Sequence, residues 1–238
     1  MALITGSARR IGAAIAKALH SAGYGVVVHY RESKQDAENL AEMLNGRRPN
    51  SAWLVKANLQ SSDQVRQMVE RAIAINGRLD VLVNNASSFY STPADEATES
   101  QWNDLMNSNL KAPFFACQAA FPALKQQQGC IVNMVDIYAK RPLSEYPIYS
   151  SAKAGLYALT QSLAKELAPD VRVNGISPGV ILWPENQTQE ARDAIVKKIP
   201  LQRQGSPQDI AETVLFMVDK ARYITGQVIA VDGGKSLV

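Results

Sequence analysis

The sequence predicts an α/β fold: a doubly wound parallel sheet with helices on both faces. Two observations carry this. Short, nearly continuous apolar runs alternate from end to end with longer segments of helical period, the pattern of strands buried on both faces and joined by crossover helices. The first such run also leads directly into the glycine-bearing turn Thr5-Gly6-Ser7-Ala8-Arg9-Arg10-Ile11-Gly12 and an Ala-rich helix. A strand, a turn of small residues and a helix start form an anion cradle, because unpaired N–H groups and the helix dipole favour a pyrophosphate.

The elements follow in order. Ala2 to Thr5 reads as a buried strand, with a helix to about Ala22. Gly25 to Arg31 is a second strand, and its end lies where an adenosine ribose would sit. An acid there would select the 2′-hydroxyl of NAD, but Tyr30 and Arg31 occupy the place, and an arginine suits the extra phosphate of NADP. Ser33 either adds a hydroxyl to that pocket or caps the helix from Lys34 to Asn45. Ala52 to Ala57 is a third strand ending at Asn58-Leu59, where a polar side chain reaches an adenine edge. After a helix from Ser61 to Asn76, Asp80 to Val83 runs into the small-residue turn Asn84-Asn85-Ala86-Ser87. Phe89 follows, placed either to stack on a flat ligand or to pack in the core. One long helix is expected from Gln101 to Gln126, carrying Asn109, whose amide would hold a water or orient Lys153.

The chemistry concentrates between Ile131 and Lys153. A short strand ends at Asp136, facing the crevice where open α/β sheets bind ligands. A helix then brings Tyr149 and Lys153 onto one face, four residues apart. The ammonium is expected to lower the phenol's pKa and make Tyr149 a general acid/base. Val171 to Ile176 is another strand, followed by Ser177-Pro178-Gly179. The patternless segment 180 to 200, with Trp183 and Pro184 and polar from Glu185 to Glu190, reads as a substrate lid. Ser206-Pro207 opens a helix in capping order, and Gln227 to Val231 is the last strand.

Composition narrows the function. The 238 residues, 46% of them hydrophobic, suffice for one domain over 1–238. A net charge of +3 without a long basic run gives no footprint for nucleic acid or membrane. Two cysteines, Cys117 and Cys130, lack metal-ligand spacing, and His20 and His29 lack sequence partners, so no metal is expected. Sparse cysteine and the absence of an apolar run of about 18 residues read as a soluble cytoplasmic protein.

The motifs Thr5-Gly6 to Gly12, Asn84-Asn85-Ala86, Asn109, Tyr149 to Lys153, Pro178-Gly179 and Asp232-Gly233-Gly234 resemble, in order and spacing, the short-chain dehydrogenase/reductase family over nearly the whole chain. Within it the chain looks most like the pteridine reductases, with Arg10 in place of the middle glycine and Asp136 in place of the usual serine. The strings NNASSFY, NMVD and VDGGKSL strengthen that likeness. The resemblance implies a single Rossmann-type domain, with a cofactor part over about 1–130 and a catalytic and substrate part over about 131–238, assembled as a homotetramer. It implies NADPH held by Gly6, Arg10, Ile11, Tyr30, Arg31, Ser33, Asn58, Leu59, Asn85, Ala86, Ser87, Lys153, Pro178 and Gly179. A pterin would stack on Phe89 and meet Arg10, Ser87, Asp136 and Tyr149. The catalytic set would be Asp136, Tyr149, Lys153 and Asn109. Glu32, beside Arg31, weakens the expected grip on the 2′-phosphate. Two other readings stand beside this one: an NADPH-dependent carbonyl reductase for 3-oxoacyl chains or ketones, and a non-catalytic dinucleotide-binding regulator, which would be expected to have lost part of the Tyr/Lys pair.

Overall fold

A computed structural model describes residues 1–183 and 187–238. Seven parallel strands form one sheet in the order β3-β2-β1-β4-β5-β6-β7, with β1 at Ala2–Ile4, β2 at Val26–Tyr30, β3 at Ala52–Lys56, β4 at Val81–Asn84, β5 at Cys130–Met134, β6 at Arg172–Pro178 and β7 at Val228–Val231. The order reverses between β1 and β4, which opens a crevice at their C-terminal ends. The fold is the doubly wound Rossmann-type arrangement read from the sequence.

Successive strand residues bury on opposite faces, which is why the strands lack polar alternation. Ala2, Ile4, Val26, Val28, Val81 and Val83 face one core. Leu3, Val27 and Leu82 face the other. The helices α1 (Arg10–Ser21) and α2 (Lys34–Arg47) and the later α8 (Pro207–Asp219) cover the first face. Helix α3 (Ser62–Ala74) and, further along, α5 (Ala112–Gln126) and the end of α6 (Pro147–Glu166) cover the second.

Three expectations are corrected here. The helix expected over Gln101–Gln126 is α4 (Glu99–Met106), a π-helical turn (Asn107–Lys111) and α5. Pro113 has no N–H to give the carbonyl four residues back, that of Asn109, so regular α bonding cannot continue through it. Ser33 precedes α2 but makes no capping hydrogen bond. The patternless segment after β6 holds α7 (Gln189–Val196), capped by Thr188, while residues 184–186 of the proposed lid lie outside the described residues. No described helix is long and apolar enough to cross a membrane, and no metal-binding group of side chains occurs among the described residues.

His29, which had no partner in the sequence, ties the first turn to the sheet. Its Nδ1 accepts the Gly6 N–H at 2.8 Å and its Nε2 donates to the Ala57 carbonyl at 3.1 Å. The same residue's N–H donates to Ser7 Oγ, and its carbonyl accepts the Ser7 N–H. This ring must be neutral to accept, and burial lowers its pKa from 6.5 to about 4. The unfolded chain therefore binds the proton first, so stability is complete above pH 6.5 and is lost as pH falls toward 4. Between pH 7 and 4.5 wild type should lose about 2–3 kcal/mol more than His29→Asn. Urea denaturation at both pH values measures this, and equal losses would remove His29 from the acid transition.

Candidate active site

Asp136, the residue after Val135 at the end of β5, points one carboxylate oxygen at the Tyr138 N–H (2.9 Å) and the other at the Tyr149 hydroxyl (2.7 Å). Tyr149 stands in the first turn of α6, which starts at Pro147 where a missing N–H costs nothing. One turn on, Lys153 is 2% exposed. Its Nζ donates to the Met134 carbonyl at 2.9 Å and lies 5.6 Å from the Tyr149 ring centroid. Helix α6 can lie this close because it carries Gly155: a Cβ there would come within 2.7 Å of Leu110 on the π turn. Beneath the site Asn84 donates to Asn133 (2.9 Å), which donates to Thr160 of α6 (2.9 Å). This buried amide chain joins β4, β5 and α6.

The electrostatics correct one expectation. Tyr149 is not made acidic by Lys153: burial, then the Asp136 carboxylate and its hydrogen bond, raise the phenol well above its ordinary pKa, and the Ser87 hydroxyl only partly opposes them. Burial also raises the Asp136 carboxyl, against the hydrogen bonds from Tyr138 and Tyr149 and the charge of Lys153. Lys153 is lowered by burial to about 8, with Asp136 acting in the opposite direction. The centre is a neutral phenol donating to a shielded carboxylate, with a buried ammonium behind them. The phenol can give its proton to a group placed beside it, and the carboxylate can relay a replacement to it from solvent.

Asn109 does not orient Lys153 through its side chain, as one of its two expected roles would require. Its Nδ2 donates to the Ser88 carbonyl (3.0 Å) and the Leu105 carbonyl (2.9 Å), and its Oδ1 accepts from Ser87 Oγ (2.6 Å). It braces the loop after β4 and makes no hydrogen bond to Lys153. Phe89 on that loop is 48% exposed and stacks on Tyr146 (4.7 Å, 14°), with Tyr149 edge-on at 4.8 Å and 74°. Tyr146 was not singled out from the sequence, although it stands in the same stretch as Asp136 and three residues before Tyr149.

A cavity of 380 Å³ runs along the ends of β1 to β4, lined by Gly6, Tyr30, Arg31, Ser33, Asn58, Leu59, Ala86 and Ser87 among others. The Gly6 N–H is taken by His29. Asn85 spends its amide hydrogens on the Thr5 and Gly6 carbonyls, so it shapes the turn from behind. Asn58 Oδ1 caps the Gln60 N–H. Arg31 pairs with Glu32 at 2.8 Å, an exposed contact worth less than about 1 kcal/mol, which a phosphate dianion can displace. Ile11, in the first turn of α1, packs against the core. Gly179, after β6, donates to the Val231 carbonyl, and a Cβ there would meet Asp232 at 2.6 Å. The donor set of the cavity, an exposed guanidinium, a phenol and hydroxyls with the Glu32 carboxylate beside them, fits a nicotinamide dinucleotide.

A family model described as Enoyl-(Acyl carrier protein) reductase matches residues 6–236. Pteridine reductase 1 of Leishmania tarentolae is 40% identical over 100% of this chain and 96% of its own length. The 3-oxoacyl-acyl-carrier-protein reductase FabG of Staphylococcus aureus (strain N315) is 38% identical over 98% of this chain and 96% of its own. An uncharacterised oxidoreductase of Methylorubrum extorquens is 37% identical over the same shares.

Arg10 occupies φ +55, the left-handed region that glycine adopts freely. An L side chain there costs about 1–2 kcal/mol, while glycine costs about 0.5–1 kcal/mol in chain entropy. Arg10→Gly should therefore unfold in urea at the same or slightly higher free energy, and Arg10→Val at a lower one. A loss of more than about 2 kcal/mol in Arg10→Gly would show that the guanidinium itself holds the turn, beyond what strain relief allows.

Proposed function

The chain belongs to the short-chain dehydrogenase/reductase family and is an oxidoreductase; from that premise we propose that it is an NADPH-dependent pteridine reductase. The observation that carries this reading is the Asp136 carboxylate bonded to the Tyr149 phenol beside the ring wall of Phe89. A pterin presents N–H and amino donors along its edge, which a carboxylate accepts in charge-assisted bonds, and a flat face that suits an aromatic ring. A ketone offers only an acceptor oxygen, for which a hydroxyl suffices. The 40% identity to a pteridine reductase over the full chain supports the same choice.

In this reading Tyr30, Arg31 and Ser33 hold the 2′-phosphate of NADPH, and Asn58 and Leu59 meet the adenine. Gly6, Arg10 and Ile11 lie along the pyrophosphate, with Ala86, Ser87, Pro178 and Gly179 toward the nicotinamide. Bound there, the reduced nicotinamide supplies a hydride to the carbon of a ring C=N. Tyr149 delivers its proton to the ring nitrogen, so that C=N becomes CH–NH, and the phenolate left behind is reprotonated from solvent by way of Asp136. Lys153, cationic below about pH 8, holds the ribose hydroxyls and balances the Asp136 charge. Arg10 and Ser87 reach the pterin's polar edge. Exposed apolar side chains on α4, α5 and α8, Trp102, Phe114 and Phe216, support assembly as a homotetramer.

A second reading, a 3-oxoacyl reductase, is favoured by the 38% identity to the staphylococcal enzyme. The two part in one assay: NADPH oxidation with dihydrobiopterin, dihydrofolate and a 3-oxoacyl thioester. Turnover on the pterins is expected, with NADH much poorer, and turnover on the thioester alone would select the second reading. Tyr149→Phe should bind NADPH as wild type does and lose roughly 100-fold or more in kcat; unchanged kcat would take the phenol out of proton delivery.

A further inference from the structure

The loop that carries Phe89 has no regular structure, and its neighbours on each side are tied down individually. Ser87 and Ser88 are held by Asn109, and the Thr92 N–H donates to the Glu145 carbonyl at 2.7 Å. The tie next to Phe89 is different. The Tyr90 hydroxyl donates to Asp104 Oδ2 at 3.0 Å, while its ring packs in the cluster of Leu105, Ile148 and Tyr149. Asp104 Oδ1 accepts from Gln60 Nε2 at 2.8 Å, and the same amide reaches the Asp104 carbonyl at 3.2 Å. Gln60 lines the cavity on the adenosine side. Asp104 has no ion-pair partner among the described residues. It also lies inside α4, away from the helix start where a carboxylate serves as a cap. Its two oxygens therefore serve the cavity wall on one side and the ring wall on the other.

We propose that Asp104 is a positioning residue that ties the adenosine side of the cofactor cavity to the loop bearing Phe89, so that the stacking ring is set before a flat substrate arrives. This rests on the pterin reading of the site. A loop fixed in its binding geometry spares the substrate the cost of ordering it. A carboxylate suits the task because charge-assisted bonds hold both donors more firmly than neutral ones.

The test is steady-state kinetics with NADPH and dihydrobiopterin on wild type, Tyr90→Phe, Gln60→Met, their double variant and Asp104→Leu. Tyr90→Phe keeps the ring and removes only the hydroxyl. It should raise the KM for the pterin by about fivefold or more, with kcat and the NADPH KM within about twofold, because the lost contact acts on substrate binding alone. Gln60→Met, far from the pterin, should raise the pterin KM in the same direction. The double variant should raise it by less than the product of the two single effects, since both act through one carboxylate. Asp104→Leu should match the double variant if it folds, and Tyr90→Phe decides the matter if it does not. An unchanged pterin KM in Tyr90→Phe, or effects of Gln60 and Tyr90 that simply multiply, would overturn the coupling. A wild-type enzyme inactive on dihydrobiopterin would overturn the pterin reading itself, and this proposal with it.

Discussion

The hydrogen bond from the Tyr149 hydroxyl to Asp136, 2.7 Å long and shielded from water, is the interaction on which the rest of the site depends. Two groups that would each exchange protons freely in water are placed where burial raises both pKa values. The phenol then remains protonated at neutral pH and donates its hydrogen bond to the carboxylate. Burial favours the neutral carboxyl, and three donors or charges oppose it in part: the Tyr138 N–H, the Tyr149 hydroxyl and Lys153. Much of the packing nearby serves this geometry. Gly155 lets α6 approach the π turn, and the chain Asn84, Asn133, Thr160 pins that helix to two strands.

The other end of the crevice uses its polar groups differently from an ordinary helix-start anion site. Thr5, Gly6 and Asn85 spend theirs on one another and on His29. This network makes the turn rigid and takes away one N–H that could have met a phosphate. Arg10 stands exposed on the same turn, in a backbone conformation unfavourable for its side chain. A strained residue on a turn facing the crevice is the pattern expected where position matters more than stability.

The alternation of strands and helices, the crevice and the placing of Tyr149 and Lys153 on one helix face were legible in the sequence because period and spacing carry them directly. The π turn was not, since the residues around Asn109 have ordinary helical period and only Pro113 hints at a break. The tyrosine's pKa direction was misread because spacing names the lysine beside the phenol, whereas burial, which no spacing reveals, acts first. His29 and Asn133 were readable in hindsight as polar residues inside apolar strands. Asn133 stands opposite Asn84 in the β4–β5 register, so the two could have been expected to pair. Asp104 and Gln60 lie 44 positions apart and leave no local signal.

The central claim is that Asp136 is a shielded acid whose charge the phenol helps to hold. NMR titration of its carboxyl carbon, assigned by comparison with Asp136→Asn, tests this most directly. In wild type the group should titrate above the ordinary aspartate value of 3.8, and in Tyr149→Phe, which removes one stabilising donor, higher still. A carboxyl that titrates at or below that value, or that does not move when the phenol's hydroxyl is removed, would contradict the account.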